Sequence, residues 1–410
     1  MHDNVEVSAS RTPRKLGLQL TGLPALYLLA SLTVSMLAAS SAPTPLYATY
    51  QREWGFSPIT TTIVFGAYAV AVLAALLVFG RLSDHIGRRP VLLVTLAVQA
   101  IALVLFTIAD GVPGLLAARI VQGLSTGAAL GAIGAGMLDI DRPRGTIANA
   151  VAPGIGSGLG SILSGLAVAY LFAPTRLIYL FLLAVMVLQA GGVALMPESV
   201  TRSRGAMASL LPEVRLPRTV RAHLLTAAPV VFAVWALVAL YGALGPALVQ
   251  ALSGSPNVVL GGLSLTVLAG CGVIAIVAMQ NASARLVMLA GIGGLIAGVA
   301  VTLLALTIRS TAVFFIGTAV SGAGFGSGFQ GGIRTVVPKV AAHERAGVLS
   351  LIFIISYLGL GVPAVAVGFL AVHGAGLIGA ARYYGTALIL LAVLALLSLL
   401  RTERRSPARQ

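Results

Sequence analysis

The sequence predicts an all-α integral membrane protein with about twelve transmembrane helices arranged as two six-helix bundles. Three observations carry that expectation. Hydrophobic residues make up 58% of the 410 residues and charged residues 9%, with a mean hydropathy of +1.01. One soluble core cannot bury that much apolar surface, so the solvent for most of it is lipid. Apolar stretches of roughly 20 residues, enough to cross a hydrocarbon core about 30 Å thick, recur along the whole chain. Basic side chains fall in the short segments between those stretches rather than in one patch. The formal net charge of +15 therefore points to membrane orientation and not to nucleic acid as a partner.

In the first half the spans are expected at Leu23 to Ala42, Thr60 to Phe79, Val91 to Ala109, Gly114 to Leu138, Ile147 to Phe172 and Leu177 to Met196. In the second half they are expected at Leu224 to Val249, Val258 to Met279, Leu286 to Ile308, Ala312 to Val337, Gly347 to Val372 and Tyr383 to Leu400. The longest polar interruption, Pro197 to His223, carries Arg202, Arg204, Arg215, Arg218 and Arg221 and three prolines. It divides the chain into an N-terminal unit over 1–196, a linker over 197–223 lying along the membrane surface, and a C-terminal unit over 224–410. A polar leader from Met1 to Gly22 is long for a cleaved signal, and many further apolar segments follow it.

Orientation follows from the basic residues. Arg11, Arg14, Lys15, Arg81, Arg88, Arg89, Arg142, Arg144, the linker arginines, Arg285, Arg334, Lys339, Arg345 and the tail arginines fall on one side, leaving Arg52, Arg176, Arg309 and Arg382 on the other. Short cytoplasmic loops retain Lys and Arg, so a multi-pass cell-membrane protein with both termini cytoplasmic is expected. The two halves also echo each other. Gly123 and Gly127 in the fourth span match Gly322 and Gly326 in the tenth, and Arg144, Gly158 and Gly160 match Arg345, Gly359 and Gly361. An ordered offset near half the chain length indicates duplication of a six-helix unit.

Few groups carry chemistry. The lone Cys271 excludes an internal disulfide or a cysteine metal cluster, and no cofactor or metal is expected. None of the five histidines lies in an expected span, and the carboxylates avoid the spans as well, so the clustered groups of an intramembrane enzyme are missing. Arg119, followed by Gln122, lies at membrane depth, where a charge is expensive and faces protein or water. Arg119 and Gln122 are candidates for substrate or coupling contact, with an anionic or electron-rich group on the substrate as the natural partner of the arginine; the alternative is a structural arginine held by backbone carbonyls and hydroxyls. Tyr68, Gln99, Asn149, Gln189, Trp235, Tyr241, Gln330 and Tyr357 are the remaining candidates to line a cavity between helices. Together they describe a site with little charge and few amides, suited to amphipathic compounds better than to sugars.

The segment Gly80-Arg81-Leu82-Ser83-Asp84-His85-Ile86-Gly87-Arg88-Arg89-Pro90, between the second and third spans, resembles the signature loop of the major facilitator superfamily. Gly80 permits close helix approach, Asp84 can pair with arginine, Gly87 permits a tight turn, and Arg88 and Arg89 can meet Asp139 and Asp141. Arg119-Ile120-Val121-Gln122-Gly123 is similar to the family's intramembrane arginine motif, and the stretch Asn149 to Gly165, with Pro153, Gly154, Gly156, Gly158 and Gly160, resembles the glycine-rich antiporter motif of its drug-efflux-like branch, except that Pro153 precedes Gly154 where that motif has proline directly after glycine. The resemblance implies the major facilitator fold, alternating access, and a loop that locks the halves together on the cytoplasmic side and releases during the cycle. It implies a secondary transporter of small molecules, with export of amphipathic compounds as the expected activity. The first span has no Asp or Glu, so proton exchange is left open. Uptake of an organic solute and a non-transporting membrane receptor are the alternatives.

Overall fold

The computed structural model describes residues 19–214, 216–255, 257–341 and 344–404. The leader residues Arg11, Arg14 and Lys15, linker residue Arg215 and the side chains of the tail arginines lie outside that description. Among the described residues the chain is helical and contains no strand.

In the first half the helices are α1 (Leu23–Ser41), α2 (Pro43–Trp54), α3 (Pro58–Phe79), the single turn α4 (Ser83–Ile86), α5 (Arg88–Ile108), α6 (Val112–Ile140), α7 (Arg142–Tyr170) and α8 (Pro174–Ala194). In the second half they are α9 (Arg221–Ala239), α10 (Gly245–Ser253), α11 (Val258–Ala278), α12 (Ala284–Ile308), α13 (Thr311–Val336), α14 (Arg345–Leu370) and α15 (Gly376–Arg404). Lipid cannot hydrogen-bond the backbone, so each span closes its own ladder. Local chemistry sets the ends. Proline stands in the first turn of α3, α6, α7 and α8, and Asp141, Asn257, Ser283 and Ser310 cap α7, α11, α12 and α13 with side-chain oxygens.

Hydropathy alone merges Arg345–Leu400 into one apolar stretch of 56 residues. A continuous helix of that length would run about 80 Å at 1.5 Å per residue, far beyond a bilayer. The backbone leaves the helix at Gly374 (φ 163°) and Gly376 (φ 63°), which separates α14 from α15 and restores twelve crossings. The expected spans are otherwise found with shifted ends. The first continues past Ala42 into α2, because Pro43 at a helix start bends the chain without ending it. The seventh runs through a π-helical turn, Leu240–Leu244, into α10. It also begins at Arg221, so His223, expected in the linker, sits in the first turn of α9.

Buried side chains form one core from α1 to α8, with Leu29, Met36, Leu103 and Tyr179 at its centre, and a second from α9 to α15, with Leu237, Ile292, Val299 and Phe314. Phe65, Tyr68, Val72, Tyr357, Leu360 and Ala364 make a third cluster on the seam where α3 meets α14. Each half is a six-helix bundle. Glycine sets the closest approaches within them. A Cβ on Gly123 or Gly127 would strike the α3 backbone around Tyr68 and Val72, and one on Gly322 or Gly326 would strike the α11 backbone at Leu268 and Gly272.

That equivalence bears out the repeat but changes its register in the fifth and eleventh spans. Gly160 packs on Ala38 of α1 as Gly359 packs on Phe232 of α9, whereas Gly158 and Gly361 both face the opposite bundle, at Thr266 and Ala69. The true partner of Gly160 is therefore Gly359 and not Gly361. Around Pro153 the α7 helix stays continuous, and its glycines serve packing on two sides: Gly156 and Gly160 on α1, Gly154 and Gly158 on α11.

Between the bundles, Ser161 Oγ donates to the Gly262 carbonyl at 2.9 Å and Thr266 Oγ1 donates to the Gly158 carbonyl at 3.0 Å. Both bonds join α7 to α11 in the half of the protein away from the Gly80–Pro90 loop. The face that carries that loop and the linker is called the basic face below.

Packing of this kind is sensitive to one carbon. Gly322→Val should lower stability by about 1–3 kcal/mol through overpacking against Leu268. Gly293→Val, with nothing within 4 Å of the added Cβ, should leave it unchanged. Thermal unfolding in detergent checks both, and equal midpoints for the two variants would show that α11 and α13 do not depend on the glycine contact.

Candidate functional site

A proline prepares the first part of the site. Pro43 has no N–H to close the helical turn on Ala39, and the freed Ala39 carbonyl accepts from Gln122 Nε2 at 3.0 Å. One residue on, the Ser40 carbonyl accepts from Arg119 Nη1 at 2.7 Å. The α1–α2 break thus turns backbone oxygens toward α6.

Arg119 itself is 0% exposed. Its Nε and Nη2 both donate to Tyr47 Oη, at 3.0 and 2.6 Å, and Nη1 also donates to Gln122 Oε1 at 2.8 Å. The guanidinium carbon lies over the rings of Tyr68, Tyr47 and Phe106 at 5.1, 5.6 and 5.9 Å. No carboxylate is among these partners. The positive charge is held by oxygen dipoles and ring faces, each a modest attraction that becomes stronger where water is excluded. Tyr68 closes the cage on the seam side, with its hydroxyl donating to Ser40 Oγ at 2.8 Å.

The second part is the basic-face loop. After α3, Gly80 lies against the backbone of Gly131 in α6, and Gly87 adopts φ 105°, a conformation that favours glycine. Asp84 pairs with Arg88, whose Nη1 also donates to Ser83 Oγ at 2.7 Å and whose Nε reaches Asp139 at 3.3 Å. The expected meeting of the loop arginines with Asp141 does not occur. Asp141 caps α7 instead, accepting from the Arg144 N–H at 2.9 Å and pairing with its guanidinium at 3.2 Å, because it stands directly before the free N–H groups of that helix.

Glycine at position 87 has no side chain to cap α5, and Glu198 of the linker takes that place. Its carboxylate accepts from the N–H groups of Arg88 at 2.8 Å and Arg89 at 3.0 Å, an anion on a helix N-terminus. Ser203 adds a backbone bond to the His85 carbonyl at 2.9 Å and a side-chain bond to His85 Nδ1 at 3.0 Å. Arg81 pairs with Glu213. The linker is therefore fastened to the loop, which its composition did not indicate.

The other candidates separate. Asn149 donates to the Gly134 carbonyl at 3.0 Å and joins α7 to α6 inside the first bundle. Tyr241 is fully buried in the second core, where its hydroxyl bonds Thr302 at 2.6 Å and Ser321 at 3.1 Å. Gln330 is half-buried on α13. Tyr68, Trp235 and Tyr357 come together at the seam, with the Trp235 and Tyr357 rings 5.3 Å apart. Gln189 is fixed between Ser31 and Ser35, and Gln99 is buried with neither amide atom partnered among the described residues. Sequence reasoning missed Ser40, Tyr47, Glu198 and Glu213. The prolines at 43 and 45 were the available signal for the first pair, and Glu198 directly after the sixth span was the signal for the linker contact.

Two bundles of six helices with echoing glycine contacts define a polytopic membrane protein built on a two-bundle plan. The chain belongs to the Major Facilitator Superfamily, whose family model matches residues 28–362. An MFS-type transporter of Aspergillus terreus is 32% identical over 139 residues, covering 32% of this chain and 23% of that protein. An uncharacterized transporter of Rickettsia bellii is 39% identical over 74 residues, covering 18% of each. The matches thus span less than a quarter of these relatives. Among solved structures, the nucleoside transporter NupG superposes with a TM-score of 0.68 at 13% identity, over 91% of this chain and 98% of that one. The human organic anion transporter TETRAN gives 0.64 at 17% identity, over 90% and 98%. These likenesses show the fold.

Arg119→Gln leaves Tyr47 and the Ser40 carbonyl without their donor inside a closed cage. The loss should be about 1–3 kcal/mol for each group left unpaired, read as a lower thermal midpoint. Arg119→Lys should recover only part of it, because one ammonium cannot copy the planar fork. A wild-type midpoint for Arg119→Gln would remove Arg119 from the scaffold and leave transport as its role.

Proposed function

We propose that this protein is a secondary active transporter working by alternating access, with export of small amphipathic compounds as its activity. Its units are 1–196, the linker 197–223 and 224–410, and both termini are cytoplasmic, so that the basic face is the inner one. The partition of basic residues supports the orientation.

One observation supports alternating access most directly. Two hydrogen bonds that cross between the bundles, at Ser161 and Thr266, lie away from the basic face. On the basic face, the ion pairs of the signature loop stay within the first bundle and the linker: Asp84 with Arg88, Arg88 with Asp139, Arg81 with Glu213. That is the arrangement of a carrier closed on the outside with its inner latch released. Gly80, Asp84, Gly87, Arg88 and Arg89 are the latch, and Asp84 stays half exposed, free to find a partner on the second bundle when the inner side closes.

The seam offers Tyr68, Trp235 and Tyr357 and no carboxylate, which suits amphipathic substrates with an electron-rich group. Proton antiport would need a group that titrates at mid-depth. Asp84, Asp110, Asp139, Asp141, Glu198, Glu213 and Glu344 all lie in loops or at helix ends, as does Glu53 at the end of α2. Exchange for a second solute is the coupling this distribution favours over protons.

The protein alone in liposomes, loaded with small amphipathic compounds and with the same compounds unlabelled outside as counter-solute, tests the reading. Solute is expected to leave the vesicles faster than from protein-free ones, and Asp84→Asn should slow it severalfold with membrane insertion unchanged. Absence of any carrier-dependent flux would point to a receptor, and an undiminished rate in Asp84→Asn would take the latch out of the mechanism.

A further inference from the structure

On the second bundle's side of the seam, three helices bring four rings together. Trp235 of α9 meets Phe325 and Phe329 of α13 edge to face, at 6.0 and 5.5 Å with planes 82° and 83° apart, and meets Tyr357 of α14 at 5.3 Å. Phe325 and Phe329, one turn apart, hold their planes parallel to within 1°. A wall of this kind is more than core filling, since Trp235, Phe325 and Phe329 are only half-buried and sit beside the α3–α14 seam, where Trp235 packs against the cluster of Phe65, Tyr68 and Tyr357.

The decisive atom is the indole nitrogen. Trp235 Nε1 is buried and has no hydrogen-bond partner among the described residues. A buried N–H left unpaired costs about 1–3 kcal/mol, and buried indoles ordinarily find an acceptor. None of α3, α9, α13 or α14 contains an acidic residue, so nothing in the wall attracts a cation. The uncompensated guanidinium of Arg119 lies behind the Tyr68 ring, which itself belongs to the seam cluster. A positive field and a free donor both oppose the organic cations that aromatic cages otherwise favour.

We infer that this wall is the recognition site for planar aromatic substrates that carry a hydrogen-bond acceptor and are neutral or anionic, with Trp235 Nε1, covered in this conformation, donating to the acceptor when α3 shifts against α14. The assignment rests on the transporter reading above and names the substrate class of the same seam. Flat rings stack on the wall, and the acceptor satisfies the indole.

The chain has two tryptophans, so Trp54→Phe leaves Trp235 as the sole indole reporter. In that variant, purified in detergent and verified by its unfolding midpoint, bromine-bearing probes that quench indole on contact are titrated: para-bromobenzoate, para-bromobenzylammonium and para-bromocyclohexanecarboxylate. Saturable quenching by para-bromobenzoate is expected, with affinity about tenfold above each of the other two, because the ammonium lacks the acceptor for the indole N–H and the saturated carboxylate lacks the flat ring that stacks, each contact being worth about a factor of ten. Phe329→Leu in the same background should weaken binding of para-bromobenzoate with the unfolding midpoint retained. Equal affinity for all three probes, strongest binding of the ammonium, or no saturable quenching would each overturn the assignment. Saturable quenching without solute flux in liposomes would sink the transporter reading while the ring site stands. Flux that persists in Trp235→Leu at the wild-type rate and affinity would sink the ring site alone.

Discussion

Close backbone contact between helices is the constraint on which this structure depends. Inside a bilayer, apolar side chains gain nothing by leaving lipid for protein, so helices associate through van der Waals fit and interhelical hydrogen bonds. Glycine makes the fit possible here. Gly127 brings α6 onto the α3 backbone, Gly326 brings α13 onto α11, and Gly291 and Gly328 bring α12 and α13 together. Once backbones approach this closely, hydroxyls on one helix reach carbonyls on the next, as Ser125 reaches Thr95 within the first bundle and Ser161 of α7 reaches Gly262 of α11 between the bundles. The same contacts therefore build each bundle and join the two.

Arg119 shows what that tight packing permits. Its charge would be intolerable facing lipid, and no acidic residue offsets it. Two oxygens of the α1–α2 turn, the Gln122 amide and three ring faces share the task, and each is fixed by its own helix. The break at Pro43 is part of that arrangement, since a regular helix would have consumed the Ala39 carbonyl that now positions Gln122. One of the three rings, Tyr68, also belongs to the seam, so a motion between bundles that shifts α3 against α14 acts on the cage directly.

At the basic face the linker acts as part of the first bundle. Glu198 supplies the cap that Gly87 cannot, and Ser203 and Glu213 repeat the attachment further along. The second bundle solves the corresponding loop differently. Without a carboxylate there, Arg334 of α13 donates to the carbonyls of Met279 and Ala282, at 3.2 and 3.3 Å. The ion pairs described above lie in the first bundle and its linker.

The sequence by itself determined the class, the number of crossings, the repeat and the signature loop, because each rests on local or periodic chemistry: apolar length against bilayer thickness, basic residues between spans, and glycine spacing. It also marked Arg119, since a charge at membrane depth is conspicuous without coordinates. Helix ends were less legible where polar segments stay helical, as in α2, or where a stretch of 56 apolar residues hides a glycine break. Only the tertiary structure decided what surrounds each polar group. It placed Tyr241 in a core and Trp235 at the seam, although both lie in the same span. It gave Arg119 its cage, gave Asp141 to α7 and gave Glu198 to α5. These partners are 3 to 110 residues apart in the chain, and a side chain's surroundings in a bundle follow from helix rotation and approach, which no local pattern encodes.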